Sequence, residues 1–322
     1  MPAVTHEHDL IDAIRQSLPD KGLALADDAF LNRETGQILT TDMLVAGRHF
    51  DLAYCLPADI GWKAAAVNVS DVAAMGGMPD CLLVSLALAP EQACFEFVKP
   101  LYEGLTAFCA EYNTRVVGGD TVSAPLTAIN ITATGILPVG HSAGLRSGAR
   151  AGDLLVTTGF HGLSAMGLSA LQQQQHGLAI SKPRHLRPQP RVAQALQLSK
   201  TFNRYALMDS SDGLADALIQ MATQSAVRFI VNADQLPCHP ELAALADPLA
   251  LMLYGGEDFE LIAAVPDVTP EMAEHFSVIG RVEAGEPDVL LMRRDGTSEK
   301  LSMAKTYQHF QFQHNQLEKE VL

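Results

Sequence analysis

Two rhythms of apolar and polar positions lay out the elements of this chain. In "EHDLIDAIRQSL" the spacing of Leu10, Ile11, Ile14 and Leu18 predicts an amphipathic helix. "LALADDAFLN" and "QILTTDMLV" read as strands parted by the turn-prone "RETG". From Pro57 to Met75, "PADIGWKAAAVNVSDVAAM" is Ala-rich and nearly all apolar, as a buried helix is, and Gly76-Gly77 with Pro79 fit its end. "CLLVSLALA" follows as a strand, "QACFEFVKPLYEGLTAFCAEY" as a long amphipathic helix, and "TRVVGGD" and "LTAINITATGIL" as further strands. The Gly-rich, basic "GHSAGLRSGARAGD" marks a domain joint. Beyond it "LLVTTGF", "ALMDSS", "VRFIVNA" and "ELIAAVP" predict strands, and "LSAMGLSALQQ", "PRVAQALQL" and "DGLADALIQMA" predict helices. "QQQQ" reads as the exposed end of a helix or a loop, and no repeat at solenoid periods emerges. The expectation is a mixed α/β (α+β) protein of two domains, residues 1–140 and 141–322.

With 322 residues, 48% of them hydrophobic, the chain is long enough for two cores and too apolar for disorder. A formal charge of −15 repels phosphodiester backbones, and no Lys/Arg run offers a local exception, so nucleic acid is excluded as a partner. An anionic small substrate then requires divalent cations or a local Arg cluster beside the carboxylates. Cys55, Cys81, Cys94, Cys109 and Cys238 stand singly, without a C-x-x-C pair, and read as buried thiols of a reducing compartment. The first residues mix acids into an amphipathic pattern unlike a signal peptide, and no apolar run nears the roughly 18 residues of a membrane span. A soluble, cytoplasmic protein without a membrane partner is expected.

The chemistry concentrates in five acidic places: "ADDAF" with Asp27 and Asp28, "LTTDML" with Thr40, Thr41 and Asp42, "NVSDVAAMGG" with Asn68, Ser70 and Asp71, "VVGGDT" with Asp120, and "MDSSDGL" with Asp209, Ser210, Ser211 and Asp212. Each sets Asp, often beside Ser or Thr, at the end of an apolar segment or within one. A turn or helix cap accounts for Asp28 or Asp42 taken alone, and a β-turn for Asp120. Asp71 resists that account, because Val67, Val69, Val72, Ala73 and Ala74 around it are apolar and caps do not lie mid-helix. In "MDSSDGL" a cap explains one carboxylate and leaves the other. Isolated buried carboxylates cost several kcal/mol each, and convergence on cations removes that penalty. Hard oxygen donors suit Mg²⁺, which is usually shared between a few carboxylates and substrate phosphates. Gly118-Gly119 before Asp120 would admit a close backbone approach by a ligand. The Walker phosphate loop and the protein-kinase Gly-rich loop are both absent.

"TTDMLVAGRHF", "DIGWKAAAVNVSDVAAMGGMP", "VVGGDT", "RSGARAGDLLVTTG", "MDSSDGLADAL" and "GGEDFEL" occur in an order and spacing similar to the thiamine-monophosphate kinase family, within the superfamily of aminoimidazole ribonucleotide synthetase and selenophosphate synthetase. The resemblance runs from "EHDLI" to "TYQHF". It implies a synthetase-like fold whose N-terminal domain binds ATP and Mg²⁺ and pairs into a dimeric β-barrel, and whose C-terminal α/β domain completes the site. It implies further that Asp28, Thr40, Thr41, Asp42, Asp71, Asp120, Asp209 and Asp212 hold several Mg²⁺ ions. Tyr102, Gly119, Asp120, Arg146 and Ser211 would meet the nucleotide, and His49, Glu257, Asp258 and Tyr307 thiamine monophosphate. The implied reaction is direct transfer of the ATP γ-phosphoryl group to an acceptor phosphate, with no general base. A sibling ATP-dependent ligase, a noncatalytic Mg-nucleotide-binding module and a structural protein are the alternatives, separated by products, turnover and Mg²⁺-dependent stabilisation.

Two positions depart from the family pattern: Ala26 where Gly is usual, and Ser210 where Ile is common, as an added ligand or a tolerated polar residue. His49 alone would be an ordinary polar contact at a strand end. Trp62 reads as packing and Lys63 as an i,i+4 partner of Asp59. "RHLRPQPR", with Arg184, Arg187 and Arg191, reads either as a phosphate contact or as a solvated or partner-facing loop.

Overall fold

A computed structural model of the chain describes residues 7–19 and 26–306. The first half carries α1 (Glu7–Ser17), β1 (Phe30–Leu31), β2 (Gln37–Val45), α2 (Pro57–Ala74), β3 (Met78–Leu88), α3 (Phe95–Glu111), β4 (Val116–Ser123) and β5 (Ala128–Ile136). Its sheet runs β1-β2-β5-β3-β4, antiparallel except for the β3–β4 pair. Strict alternation in β5 turns Ile129, Ile131 and Ala133 toward α2 and leaves the other face open. Glycine lets α2 and α3 touch: a Cβ on Gly104 would lie 1.9 Å from the Ala58 carbonyl oxygen, and one on Gly61 2.0 Å from that of Leu101. The open sheet forms no closed barrel within the described residues of one chain.

The second half carries β6 (Leu154–Thr158), α4 (Leu163–Gln172), α5 (Ser181–Leu186), α6 (Val192–Thr201), β7 (Ala206–Asp209), α7 (Leu214–Ser225), β8 (Arg228–Asn232), α8 (Pro240–Ala243), α9 (Pro248–Tyr254), β9 (Leu261–Val265), α10 (Pro270–Ala273), β10 (Phe276–Glu283), β11 (Asp288–Met292) and β12 (Ser298–Lys300). Its sheet runs β12-β11-β8-β10-β6-β9-β7, with β11 and β8 parallel. The fully buried edge strand β7 abuts α2, where Ala73 and Ala74 pack with Leu198, Tyr205 and Leu207. This wedging explains why α2 is apolar on nearly every side.

Two expectations are corrected, and several elements are added. Residues 26–29 are bends rather than strand, because Asp27 and Asp28 bind Arg146 of the second half, leaving only Phe30–Leu31 in the sheet. The strands β10 to β12 and the helices α5 and α8 to α10 go beyond the elements read from the sequence. Of the five thiols only Cys55 and Cys109 are buried; Cys81 and Cys94 are half-buried and Cys238 is exposed. No helix among the described residues is long and apolar enough to cross a membrane.

Candidate active site between the two sheets

Four segments deliver carboxylates to one point. β2 alternates Thr40 and Asp42 toward α2, whose midpoint supplies Asp71; β7 ends on Asp209, and the bend before β1 supplies Asp28. Carboxylate oxygens of Asp28, Asp71 and Asp209 all lie within 4.8 Å of one another. Thr40 Oγ1 donates to Asp71 at 2.5 Å, Ser70 Oγ to Asp209 at 2.5 Å, and the Asn68 amide oxygen accepts the Asp42 backbone N–H at 3.0 Å. Burial raises the Asp71 carboxyl well above its ordinary range, and Asp42, Asp209 and Asp28 push it further. Burial likewise lifts Asp209 to about 7, and Asp42 is raised for the same reason. Hydroxyl donors offset part of this and leave net repulsion among clustered oxygens, which is the donor set a hard divalent cation relieves.

Arg146 closes one side. Its guanidinium meets Asp28 Oδ1 at 2.6 Å and Gln220 Oε1 at 2.7 Å, while Asp27 accepts its backbone N–H at 2.9 Å. Burial lowers the guanidinium's pKa, but Asp28, with Asp209 and Asp71, holds it above its ordinary range.

A second group forms on the "YGGEDFE" segment, which is tied to the β7 end by backbone bonds: Ser210 N to Glu260 O at 2.9 Å and Glu257 N to Ser211 O at 2.7 Å. Glu257 and Phe259 take left-handed φ of 64° and 52°, a costly conformation for non-glycine residues. The Glu257 carboxylate receives Lys63 Nζ at 2.7 Å and lies 3.5 Å from His185 Nδ1. Lys63 opposes the desolvation of Glu257 and the net effect holds that carboxyl below its ordinary range. His185 is pushed down to about 3 by burial and is neutral. His49 accepts the Val45 N–H on Nδ1 at 3.0 Å, and its carbonyl accepts Lys63 Nζ at 3.0 Å. Asp258 turns elsewhere. Its two oxygens take the N–H groups of Gly162 at 2.5 Å and Ser164 at 2.8 Å, capping α4, and burial raises its carboxyl to about 7.

Two pairings differ from expectation. Lys63 reaches Glu257 rather than Asp59, and Asp59 instead receives Arg187 at 2.5 Å. The "RHLRPQPR" loop is tied down at several points while Arg187 and Gln189 stay exposed: Arg187 also stands over Trp62, Trp62 Nε1 donates to Pro188 O at 2.8 Å, and Arg191 grips Glu260 through two nitrogens. Ser210 is fully buried and its Oγ accepts the Glu260 N–H at 3.1 Å, so it closes a strand contact and does not face the acids.

Thr41 and Asp120 lie apart from the cluster within one chain. Thr41 faces the open side of the sheet, its Oγ1 on Ile131 O at 3.1 Å, and Asp120 is exposed on β4, across the sheet from β2. The close approach at Gly119 is to a neighbouring strand: a Cβ there would lie 1.7 Å from Val84 O. Tyr102 is half-buried on α3, Ser211 and Asp212 occupy the β7–α7 turn, and Tyr307 falls outside the described residues. Asn68 and Ser70 were read from the sequence as part of the Asp71 cluster but given no ligand role, and Lys63 only as a partner of Asp59. Their signal was present, since Lys63 and Ser70 lie seven apart on one face of an otherwise apolar helix.

This two-domain α/β architecture, with its acidic cluster between the sheets, belongs to the AIR synthase related class: the N-terminal domain model of that class matches residues 26–137 and its C-terminal domain model residues 150–292. Within it, the chain belongs to the thiamine-monophosphate kinase family. It is 37% identical to the "Thiamine-monophosphate kinase" of Bacillus subtilis (strain 168), over 94% of this chain and 99% of that one, and 36% identical to that of Escherichia coli (strain K12), over 93% and 95%. Among solved structures, "AaThiL complexed with AMPPCP and TMP" superposes with a TM-score of 0.84 at 33% identity, covering 95% of this chain and 97% of that one. A hydrogenase maturation protein, in the "HypE-HypF complex", matches at a TM-score of 0.74 and 20% identity and shares the fold.

Proposed function

We propose that this protein transfers the γ-phosphoryl group of ATP to thiamine monophosphate, giving thiamine diphosphate and ADP. The observation that carries the reading is the meeting of Asp28, Asp71 and Asp209 from separate elements of both halves. Asp28, Thr40, Asp42, Asp71 and Asp209 would hold Mg²⁺, with Thr41, Asp120 and Asp212 as further oxygen donors. Bound there, the ions neutralise charge on the phosphates as it redistributes in transfer. Arg146, fixed by Asp27 and Asp28, brings a guanidinium to the same place, and Tyr102, Gly119, Asp120 and Ser211 complete the nucleotide side. His49, Glu257 and Tyr307 form the acceptor side, with Asp258 supporting it by capping α4. One P–O bond to the departing ADP breaks as one to the acceptor phosphate forms. That acceptor is already ionised near neutral pH, so no side chain need remove a proton.

We place the division between domains near residue 140, where the chain leaves the five-stranded sheet for the seven-stranded one. We also assign a homodimer whose N-terminal sheets face each other in a barrel, supported by the open face of that sheet and by Asp120 lying on its unpaired edge strand. An ATP-supplied, reducing cytoplasm suits five thiols without a disulfide.

Incubation with ATP, MgCl₂ and thiamine monophosphate, followed by chromatography, tests the reaction. Thiamine diphosphate should appear in step with ADP, and Asp42→Asn or Asp209→Asn should slow it on the order of 10²-fold or more. ADP with free phosphate and no thiamine diphosphate would overturn the reading in favour of a ligase.

A further inference from the structure

Lys63 is the least expected charge in α2. It is 3% exposed, within an Ala-rich helix whose packing an apolar side chain of similar length would serve. Its ammonium has two partners, from opposite halves of the molecule: the Glu257 carboxylate at 2.7 Å and the His49 carbonyl at 3.0 Å. Both belong to the residues assigned to the acceptor, and neither to the acidic cluster.

The backbone of Glu257 is set independently, by its bond to Ser211 O and its left-handed φ. What remains to be aimed is the carboxylate, and two groups flank it. Lys63 takes Oε1, and His185, 3.5 Å from Oε2, is itself in contact with Ser164 Oγ at 3.1 Å. A role in merely joining the two halves is already filled, by Arg187 on Asp59 and by Trp62 on Pro188 O. Lys63 therefore duplicates a tie if it is structural, and fixes the acceptor pocket if it is not.

We propose that Lys63 is a positioning residue for the phosphoryl acceptor: without touching substrate, it orients the Glu257 carboxylate and the loop at His49 so that the cationic end of the acceptor is seated. The inference rests on the kinase reading above. It predicts a split between the two substrates, because the nucleotide side has no contact with Lys63.

The test compares steady-state constants of the full-length protein with those of Lys63→Met, Lys63→Arg, Glu257→Gln and the Lys63→Met/Glu257→Gln pair. Lys63→Met should raise KM for thiamine monophosphate about tenfold or more and leave KM for ATP within about twofold. Lys63→Arg should recover much of the loss, and the double variant should be no worse than the worse single, since Lys63 acts through Glu257. Lys63→Gln, polar but neutral and shorter than lysine, supplies the comparison should the Met variant not fold. Equal changes in both KM values, or unchanged KM for thiamine monophosphate with only a lowered Tm, would overturn the positioning role and leave the kinase reading intact. Failure of the unmodified protein to form thiamine diphosphate would overturn both.

Discussion

Asp71 is where stability and chemistry oppose each other within a single residue. It stands mid-helix among apolar neighbours, accepts the Thr40 hydroxyl, and is pushed up by burial and by three other carboxylates. An amide in its place still accepts from Thr40 but carries no charge. Asp71→Asn should therefore raise the unfolding free energy of metal-free protein near pH 8 by about 1–2 kcal/mol. It should also abolish both turnover and the stabilisation given by Mg²⁺. Urea unfolding in chelator reads the first effect and product formation the second; a destabilised or fully active variant would remove Asp71 from the cluster. At this scale the sequence was informative wherever chemistry demanded a residue in the wrong place, as with Asp71 in an apolar helix. It was uninformative wherever a contact closed across the chain. Ser210 looked like a possible ligand and is a strand clamp, and Lys63 looked like the partner of Asp59, four residues away, yet pairs with Glu257.

Elements were legible in proportion to their length and periodicity. The helix α2 shows in the sequence as an Ala-rich run with a Gly-Gly end, and β2 and β5 show by alternation. β10 is harder, because its register shifts between Val278 and Gly280, where a Cβ on Gly280 would lie 2.0 Å from Ile230 O. Helices of four residues, α8 and α10, are too short for any period. The sheet of the first half raises its own question, since one face is covered by α2 and α3 while the other exposes Met43, Leu83, Val122 and Ile136, each between 44% and 54%. Exposed apolar side chains on an uncovered face beside an unpaired edge strand are a hazard unless something covers them. The proposed homodimer covers it with a second copy of itself. Sedimentation should then return twice the 34.5 kDa chain mass at micromolar concentration, and Leu83→Lys with Val122→Lys should return the single mass. A monomeric unmodified protein would refute the pairing.

Taken as a whole, the molecule carries a formal charge of −15 and gathers its tightest knot of carboxylates between two sheets, Asp209 buried and Asp28 and Asp71 half-buried, where solvent screens them less than at the surface. Asp209 is raised to about 7 by burial, and Asp71 is raised well above its ordinary value of 3.8. A carboxyl whose pKa is higher folded than unfolded contributes stability that is fully present below the unfolded value and is lost as pH rises through the folded one. Metal-free protein should thus lose the contribution of Asp209 as pH rises through about 7. A divalent cation prefers the ionised cluster, so below that pH it must displace protons and above it need not. The increment in stability conferred by MgCl₂ should grow between about pH 6 and pH 8, by at most ~1.4 kcal/mol per pH unit for each proton displaced. The buried histidines oppose this trend in absolute stability: His161 and His185, lowered to about 4 and about 3, favour the fold above their unfolded value of 6.5 and lose that contribution as pH falls. They act equally with and without metal, so the difference between paired thermal melts in MgCl₂ and in chelator isolates the carboxylates. An increment that is flat, or larger on the acid side, would mean that the cation binds somewhere other than at Asp71 and Asp209.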